Sequence, residues 1–196
     1  MNLENRMNTN KSTGYLEIFI GPMYSGKTSK LLEIYKQYKF CNVPIEVINY
    51  SEDTRYHDTM LCSHDEIMIP CIQALKIRDV MNEERIQKAQ VILINEGQFF
   101  EDLVPVVLEL VQLKKKVYVS GLDSDFERKK FGTLLDLIPM CDKVTKIHSL
   151  CSLCKDGTAG IFSLRLTQEK EQKVIGSDCY IPVCRYCYEN SETTCF

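Results

Sequence analysis

The sequence predicts an α/β fold, a parallel sheet flanked by helices, followed by a small β-rich domain that binds a metal. Three observations lead there. Short apolar runs alternate with helix-length amphipathic stretches up to Ser149, a glycine-bounded turn joins the first run to the first of those stretches, and two C-x-x-C pairs lie beyond. Strands that alternate with helices in this way pair in parallel through right-handed crossovers.

The elements follow in order. Residues 1–14 are polar, lack the apolar stretch of a secretory signal and are expected to be a disordered lead-in. Tyr15 to Ile20 is rich in β-formers and ends at Gly21, the pattern of a buried strand. From Thr28 to Phe40, Leu31, Leu32, Ile34, Tyr35 and Tyr38 recur as one face of a helix. Ile45 to Asn49 reads as a second strand and the polar stretch Ser51 to Asp65 as a loop. Ile72, Leu75, Ile77, Val80 and Met81 carry a helical spacing. Val91 to Ile94 and Val117 to Val119 are further strands, and Leu103 to Leu113 between them is a helix that tolerates Pro105 in its first turn. The α/β domain is placed at residues 15–149, the small domain at 150–188 and a tail at 189–196.

Composition narrows the function classes. The 196 residues are 44% hydrophobic and 26% charged, with a formal net charge of −3, which argues against a dedicated nucleic-acid binder with its basic face. No run approaches the roughly 20 apolar residues that span a bilayer, so neither membrane nor nucleic acid is an expected partner. Ten cysteines in a chain of this size without a secretory signal point to metal binding in a reducing compartment, and the cytoplasm is the expected location.

Gly21-Pro22-Met23-Tyr24-Ser25-Gly26-Lys27-Thr28 fits G-x-x-x-x-G-K-[ST] at every fixed position, which makes the sheet a P-loop, RecA-like one. Glycine lets the backbone curl so that successive N–H groups point at phosphate oxygens, and the following helix presents its positive end to them. Lys27 is expected on the β- and γ-phosphates and the Thr28 hydroxyl on Mg²⁺. A chance strand–turn–helix is the alternative, but both flanking elements stand in the required order. The apolar strand at 91–94 ends in Asn95-Glu96, where P-loop enzymes usually carry Asp for the magnesium. Asn keeps an oxygen ligand and loses the charge, so another acid such as Asp53 is expected to share the metal. Glu96 is the candidate general base.

Cys151-x-x-Cys154 and Cys184-x-x-Cys187 can surround a structural Zn²⁺ with four thiolates, leaving no open position for chemistry. Disulfides and an iron–sulfur centre are the competing readings.

These residues together resemble the type II thymidine kinase family from Tyr15 to Tyr188. The likeness also runs through Asp53-Thr54-Arg55-Tyr56, Ser63-His64-Asp65, Glu96-Gly97-Gln98-Phe99-Phe100, Gly121-Leu122-Asp123, Phe126, Phe131-Gly132, Arg165-Leu166, Val174-Ile175-Gly176 and Tyr180. The resemblance implies phosphoryl transfer from ATP, with Mg²⁺, to the 5′-hydroxyl of thymidine, with Glu96 as the base, and a slot that takes thymine's methyl is expected to accept deoxyuridine too. It implies a phosphate site of Gly21, Met23, Tyr24, Ser25, Gly26, Lys27, Thr28, Asp53, Arg55, Asn95 and Gln98, with Thr28 and Asp53 on magnesium. It implies a thymine slot walled by Met23, Phe99, Leu122 and Phe126. A lasso loop would close it, with Ser163, Arg165, Val174, Ile175, Gly176 and Tyr180 on the nucleoside. By the residues alone, Met23, Phe99 and Phe126 read as core, and Arg55 and Arg165 as phosphate contacts or surface ion pairs. The resemblance further implies a homotetramer and feedback binding of thymidine triphosphate. Two other readings remain open at this point: a zinc-ribbon ATPase acting on nucleic acid, and a catalytically silent nucleotide sensor, for which Asn95 is the support.

Overall fold

The computed structural model describes residues 13–51, 60–62, 67–167, 171–172 and 179–191. In chain order its first strands are β1 (Tyr15–Gly21), β2 (Ile45–Tyr50), β3 (Met60–Cys62), β4 (Met68–Pro70), β5 (Ile72–Ala74), β6 (Val91–Ile94), β7 (Lys116–Leu122) and β8 (Lys143–Lys146). The helices among them are α1 (Lys27–Phe40), α2 (Ile77–Val80), α3 (Glu84–Lys88) and α4 (Leu103–Gln112). Six strands form one sheet in the order β5-β2-β6-β7-β1-β8, and every pairing in it is parallel. Strands β3 and β4 make a separate antiparallel pair.

The apolar runs are nearly continuous because both faces of this sheet are covered, and side chains divide between the faces with period two. Leu16, Ile18 and Ile20 of β1 pack with Ile92, Ile94, Val117 and Val119 against Leu103, Val106, Val107 and Leu110 of α4. Phe19, Val47, Val91, Leu93 and Tyr118 turn the other way onto Leu31, Leu32, Ile34 and Tyr35 of α1.

One expected helix begins later than its spacing suggests. Ile72 and Ala74 are buried in β5 beside β2, and Leu75 is exposed, so the helical period is accidental there. The Asp102 carboxylate accepts the N–H groups of Ile77 (3.2 Å) and Arg78 (2.7 Å), and this cap from a distant residue fixes the helix start. The expected loop at 51–65 contains β3, and its remaining residues 52–59 and 63–65 lie outside the described residues.

Beyond β8 the chain enters a small module of β9 (Ser149–Leu150), β10 (Ala159–Gly160), β11 (Phe162–Arg165), β12 (Tyr180–Val183) and α5 (Arg185–Asn190). It pairs β9 with β10 and β11 with β12, both antiparallel. Its apolar cluster centres on Cys151, Val183 and Cys184, too little to hold an independent unit without a staple.

Candidate active site and cysteine cluster

Parallel sheets gather their functional loops at the carboxyl ends of the strands, and those of β1, β6 and β7 carry the residues in question. The turn after β1 closes tightly: a Cβ on Gly21 would lie 2.1 Å from the Ile147 carbonyl oxygen, so only glycine fits. Gly26 takes φ 83°, left-handed, immediately before α1. Ser25 Oγ donates to the Pro22 carbonyl (2.8 Å), and Lys27 Nζ lies across the loop, donating to the same carbonyl (2.6 Å) and to Ser25 Oγ (3.3 Å). The ammonium is thus held over the cradle that an anion would enter. Met23 N donates to Ser163 Oγ (3.0 Å), which ties this loop to β11.

Strand β7 separates β1 from β6, and its Ser120 reaches the residue that follows β6. Ser120 Oγ donates to Asn95 Oδ1 (2.8 Å), Thr28 Oγ1 donates to the same oxygen (3.5 Å), and Asn95 Nδ2 donates to Asn49 Oδ1 (2.9 Å). Asn49, Asn95 and Ser120 are all buried, so the floor beneath the P-loop is a neutral amide–hydroxyl chain. It turns an amide oxygen toward the Thr28 hydroxyl, and such oxygen donors suit Mg²⁺.

Glu96 sits at φ 54°, ψ 43°, a left-handed conformation that costs a non-glycine residue about 1–2 kcal/mol. Gln98 Nε2 donates to its carboxylate (2.6 Å), while Gln98 Oε1 accepts the N–H of Leu122 (2.9 Å). Gln98 is therefore buried as a clamp between Glu96 and the end of β7.

The expected nucleoside residues fall into two groups. Phe99 packs on Tyr50 (ring centroids 5.1 Å) and edge-on to Phe131 (5.4 Å), at the margin of the core. Phe126 lies under the Arg165 guanidinium, 3.6 Å from the ring centroid, and Arg165 Nε donates to Tyr180 Oη (3.0 Å). A cavity of about 520 Å³ opens beside the P-loop, bounded by Tyr24, Leu150, Tyr180, Ile181 and Pro182. Asp53, Arg55, Val174, Ile175 and Gly176 lie outside the described residues.

The sulfurs of Cys151, Cys154, Cys184 and Cys187 all lie within 4.8 Å of one another, and no cysteine among the described residues is in a disulfide. Cys154 Sγ stands 3.8 Å from Cys184 Sγ and 3.4 Å from Cys187 Sγ. Four sulfurs bonded to one zinc at its usual length stand about 3.8 Å apart, so the cluster fits that ion. Backbone N–H groups are aimed at the sulfurs, from Cys154 and Cys184 onto Cys151 and from Cys187 onto Cys184. Burial opposes ionisation of Cys151, yet the N–H groups of Cys154, Cys184 and Leu153 bring its thiol down to about 6. Hydrogen bonds from Cys187, then Cys151 and Cys184, push Cys154 up. Four thiols this close ionise together only around a cation, which a divalent metal supplies.

With this geometry in hand, comparison with known proteins is decisive. The family model described as thymidine kinase matches residues 14–188. The chain belongs to the thymidine kinase family. It is 38% identical to the thymidine kinase of Sheeppox virus over 89% of this chain and 97% of that one. Against the cytosolic thymidine kinase of Bos taurus it is 37% identical, covering 91% of this chain and 73% of the relative. The thymidine kinase of Vaccinia virus (strain Western Reserve) is 38% identical, at 91% and 98%. This family member places Asn49, Ser120 and Gln98 around the candidate reacting groups. Asn49 and Ser120 escaped sequence reasoning because nothing in their local spacing marks them.

Proposed function

We propose that the chain transfers the γ-phosphoryl group of ATP to the 5′-hydroxyl of thymidine, and of deoxyuridine, giving the 5′-monophosphate. The observation that carries this reading is the convergence of Lys27, Thr28, Asn95 and Glu96 at the carboxyl edge of one sheet, with Gln98 clamping Glu96. The N–H groups of residues 24–28 and the Lys27 ammonium bind and neutralise the phosphates, Lys27 leaving the Pro22 carbonyl as it swings to its ligand. Thr28 Oγ1 and Asn95 Oδ1, with Asp53, would hold magnesium, which supplies charge neutralisation on the phosphates when bound. Glu96 accepts the proton of the attacking hydroxyl.

Met23, Phe99, Leu122 and Phe126 are assigned to the walls of the base slot. Ser163, Arg165, Val174, Ile175, Gly176 and Tyr180 are assigned to the closing side, with Tyr24, Ser25, Gly26 and Arg55 on the donor. A slot that admits the 5-methyl group of thymine rejects its absence only weakly, which supports deoxyuridine as a substrate. Residues 15–149 and 150–188 are assigned as the catalytic and zinc-binding domains, and the zinc braces the latter. A homotetramer, feedback binding of thymidine triphosphate and a cytoplasmic location complete the reading on family grounds. No helix among the described residues is long and apolar enough to cross a membrane. Glu96→Gln is the test: turnover of thymidine should fall at least 100-fold while thymidine affinity, measured calorimetrically, stays within about twofold. Near-normal turnover would reject Glu96 as the base.

A further inference from the structure

We infer that Tyr188 and Arg128 are positioning residues for the nucleoside pocket, fastening the loop that carries Phe126 to the metal-binding module. The inference rests on the assignment of Phe126 to the thymine slot.

Phe126 belongs to neither apolar cluster that flanks the large sheet, so core packing does not set its position. Its backbone is held from the other module instead. Tyr188, on α5 and next to Cys187, donates its hydroxyl to the Phe126 carbonyl. Arg128, at φ 64°, turns the loop so that its guanidinium lies 4.7 Å over the Tyr188 ring and 5.6 Å from the Phe162 ring. Those two rings pack on each other at 5.2 Å. The Glu189 carboxylate then stands 3.7 Å from Arg128 and 3.6 Å from Arg185. A cation from the large domain is thereby held against two aromatic faces of the small one.

The loop itself is stiff. Asp125, buried, accepts the N–H groups of Glu127 (2.9 Å) and Lys129 (2.8 Å) and the side-chain amide of Gln172 (2.7 Å). On the far side Arg165 covers the Phe126 ring and donates to the Glu171 carbonyl (2.6 Å). The side chain of Phe126 is therefore aimed by Arg165 and its backbone by Tyr188. Because Cys184 caps α5, its sulfur accepting from Cys187 N, the cysteine cluster sets where Tyr188 stands. The module thus acts on the base slot through a specific contact as well as through the loop between β11 and β12.

A contact that only places Phe126 serves the bound nucleoside equally before and during transfer, so its loss raises KM and leaves kcat alone. The test uses the full-length, zinc-loaded protein with Tyr188→Phe, which removes one hydroxyl, and Arg128→Ala, which removes the stacked cation. The thymidine KM should rise about fivefold in the first variant, the worth of one ordinary hydrogen bond. In the second it should rise about tenfold, the worth of a partly desolvated cation–π contact with its ion pair. The kcat, the ATP KM and the zinc content should match the unaltered protein in both. A thymidine KM unchanged in Tyr188→Phe overturns the inference whatever Arg128→Ala does. So does a joint fall of kcat and zinc content, which marks a merely structural role. Turnover of thymidine by the unaltered protein separates these outcomes from failure of the proposed function, which would remove the inference with it.

Discussion

Replacing Asn95 by Asp puts the neutral floor of the phosphate site to a direct test. Asn95 is 2% exposed and spends both ends of its amide: the oxygen accepts from Ser120 and Thr28, and the nitrogen donates to Asn49 Oδ1 at 2.9 Å. The carboxylate has the same shape, so packing is unchanged. It now sets an oxygen against the Asn49 oxygen, which forfeits that hydrogen bond and leaves two hydroxyl donors to solvate a full buried charge. A lost buried hydrogen bond and a poorly compensated charge together cost about 3 kcal/mol in the free protein. Burial also raises the folded-state pKa of this carboxyl above its unfolded value of about 3.9. Between the two values the folded protein then binds more protons than the unfolded chain. The penalty is therefore full above the folded pKa, fades as pH falls between the two values and is gone below the unfolded one.

Magnesium and nucleotide should reverse the balance, because the new charge then faces a divalent cation. Urea unfolding should show Asn95→Asp about 3 kcal/mol less stable than the unaltered protein when free. The deficit should be largely recovered with saturating Mg²⁺ and a non-hydrolysable ATP analogue, and half-maximal turnover should need less Mg²⁺. Equal stability of the two free proteins, or superimposable Mg²⁺ titrations, would refute the reasoning that the amide is there as part of a charge-free chain.

Two other perturbations bear on what holds the machinery in place. Lys115 is buried and caps α3, donating from Nζ to the carbonyls of Ile86 (3.0 Å), Gln87 (2.9 Å) and Ala89 (2.5 Å). Lys115→Met should lower stability in urea by about 2–3 kcal/mol while the thymidine and ATP KM values stay unchanged. Stripping the metal with a chelator should abolish thymidine binding and leave affinity for the ATP analogue within a few-fold, as read by calorimetry. Retained thymidine binding in metal-free protein would show that the cysteine module does not support the nucleoside side.

What sequence alone revealed, and what it hid, divides along the distance over which each feature is encoded. The P-loop was legible because consecutive residues must adopt one backbone shape, and Gly21 cannot be replaced without striking the Ile147 carbonyl. The cysteine pairs were legible because each C-x-x-C turn brings two sulfurs together locally, and the two turns do meet. The strands β1, β2, β6 and β7 were legible as apolar runs because both sheet faces are covered. Residues 72–81 misled because Ile72 fits two periods at once, as strand with Ala74 and as helix with Leu75, and only the distant Asp102 decides where the helix begins.

The remaining site residues follow from strand order rather than from any pattern along the chain. Because β7 lies beside β6, a residue of β7 flanks Asn95, and Ser120 is small enough and polar enough to share the Asn95 oxygen with Thr28. Because β2 lies on the other side of β6, the far end of the Asn95 amide meets Asn49. An acidic residue at position 95 would demand a partner that this pair of neighbours does not provide. The departure at Asn95 is thus one part of a neutral network, and at this strand end the magnesium would meet an amide oxygen, the carboxylate charge coming from Asp53 instead.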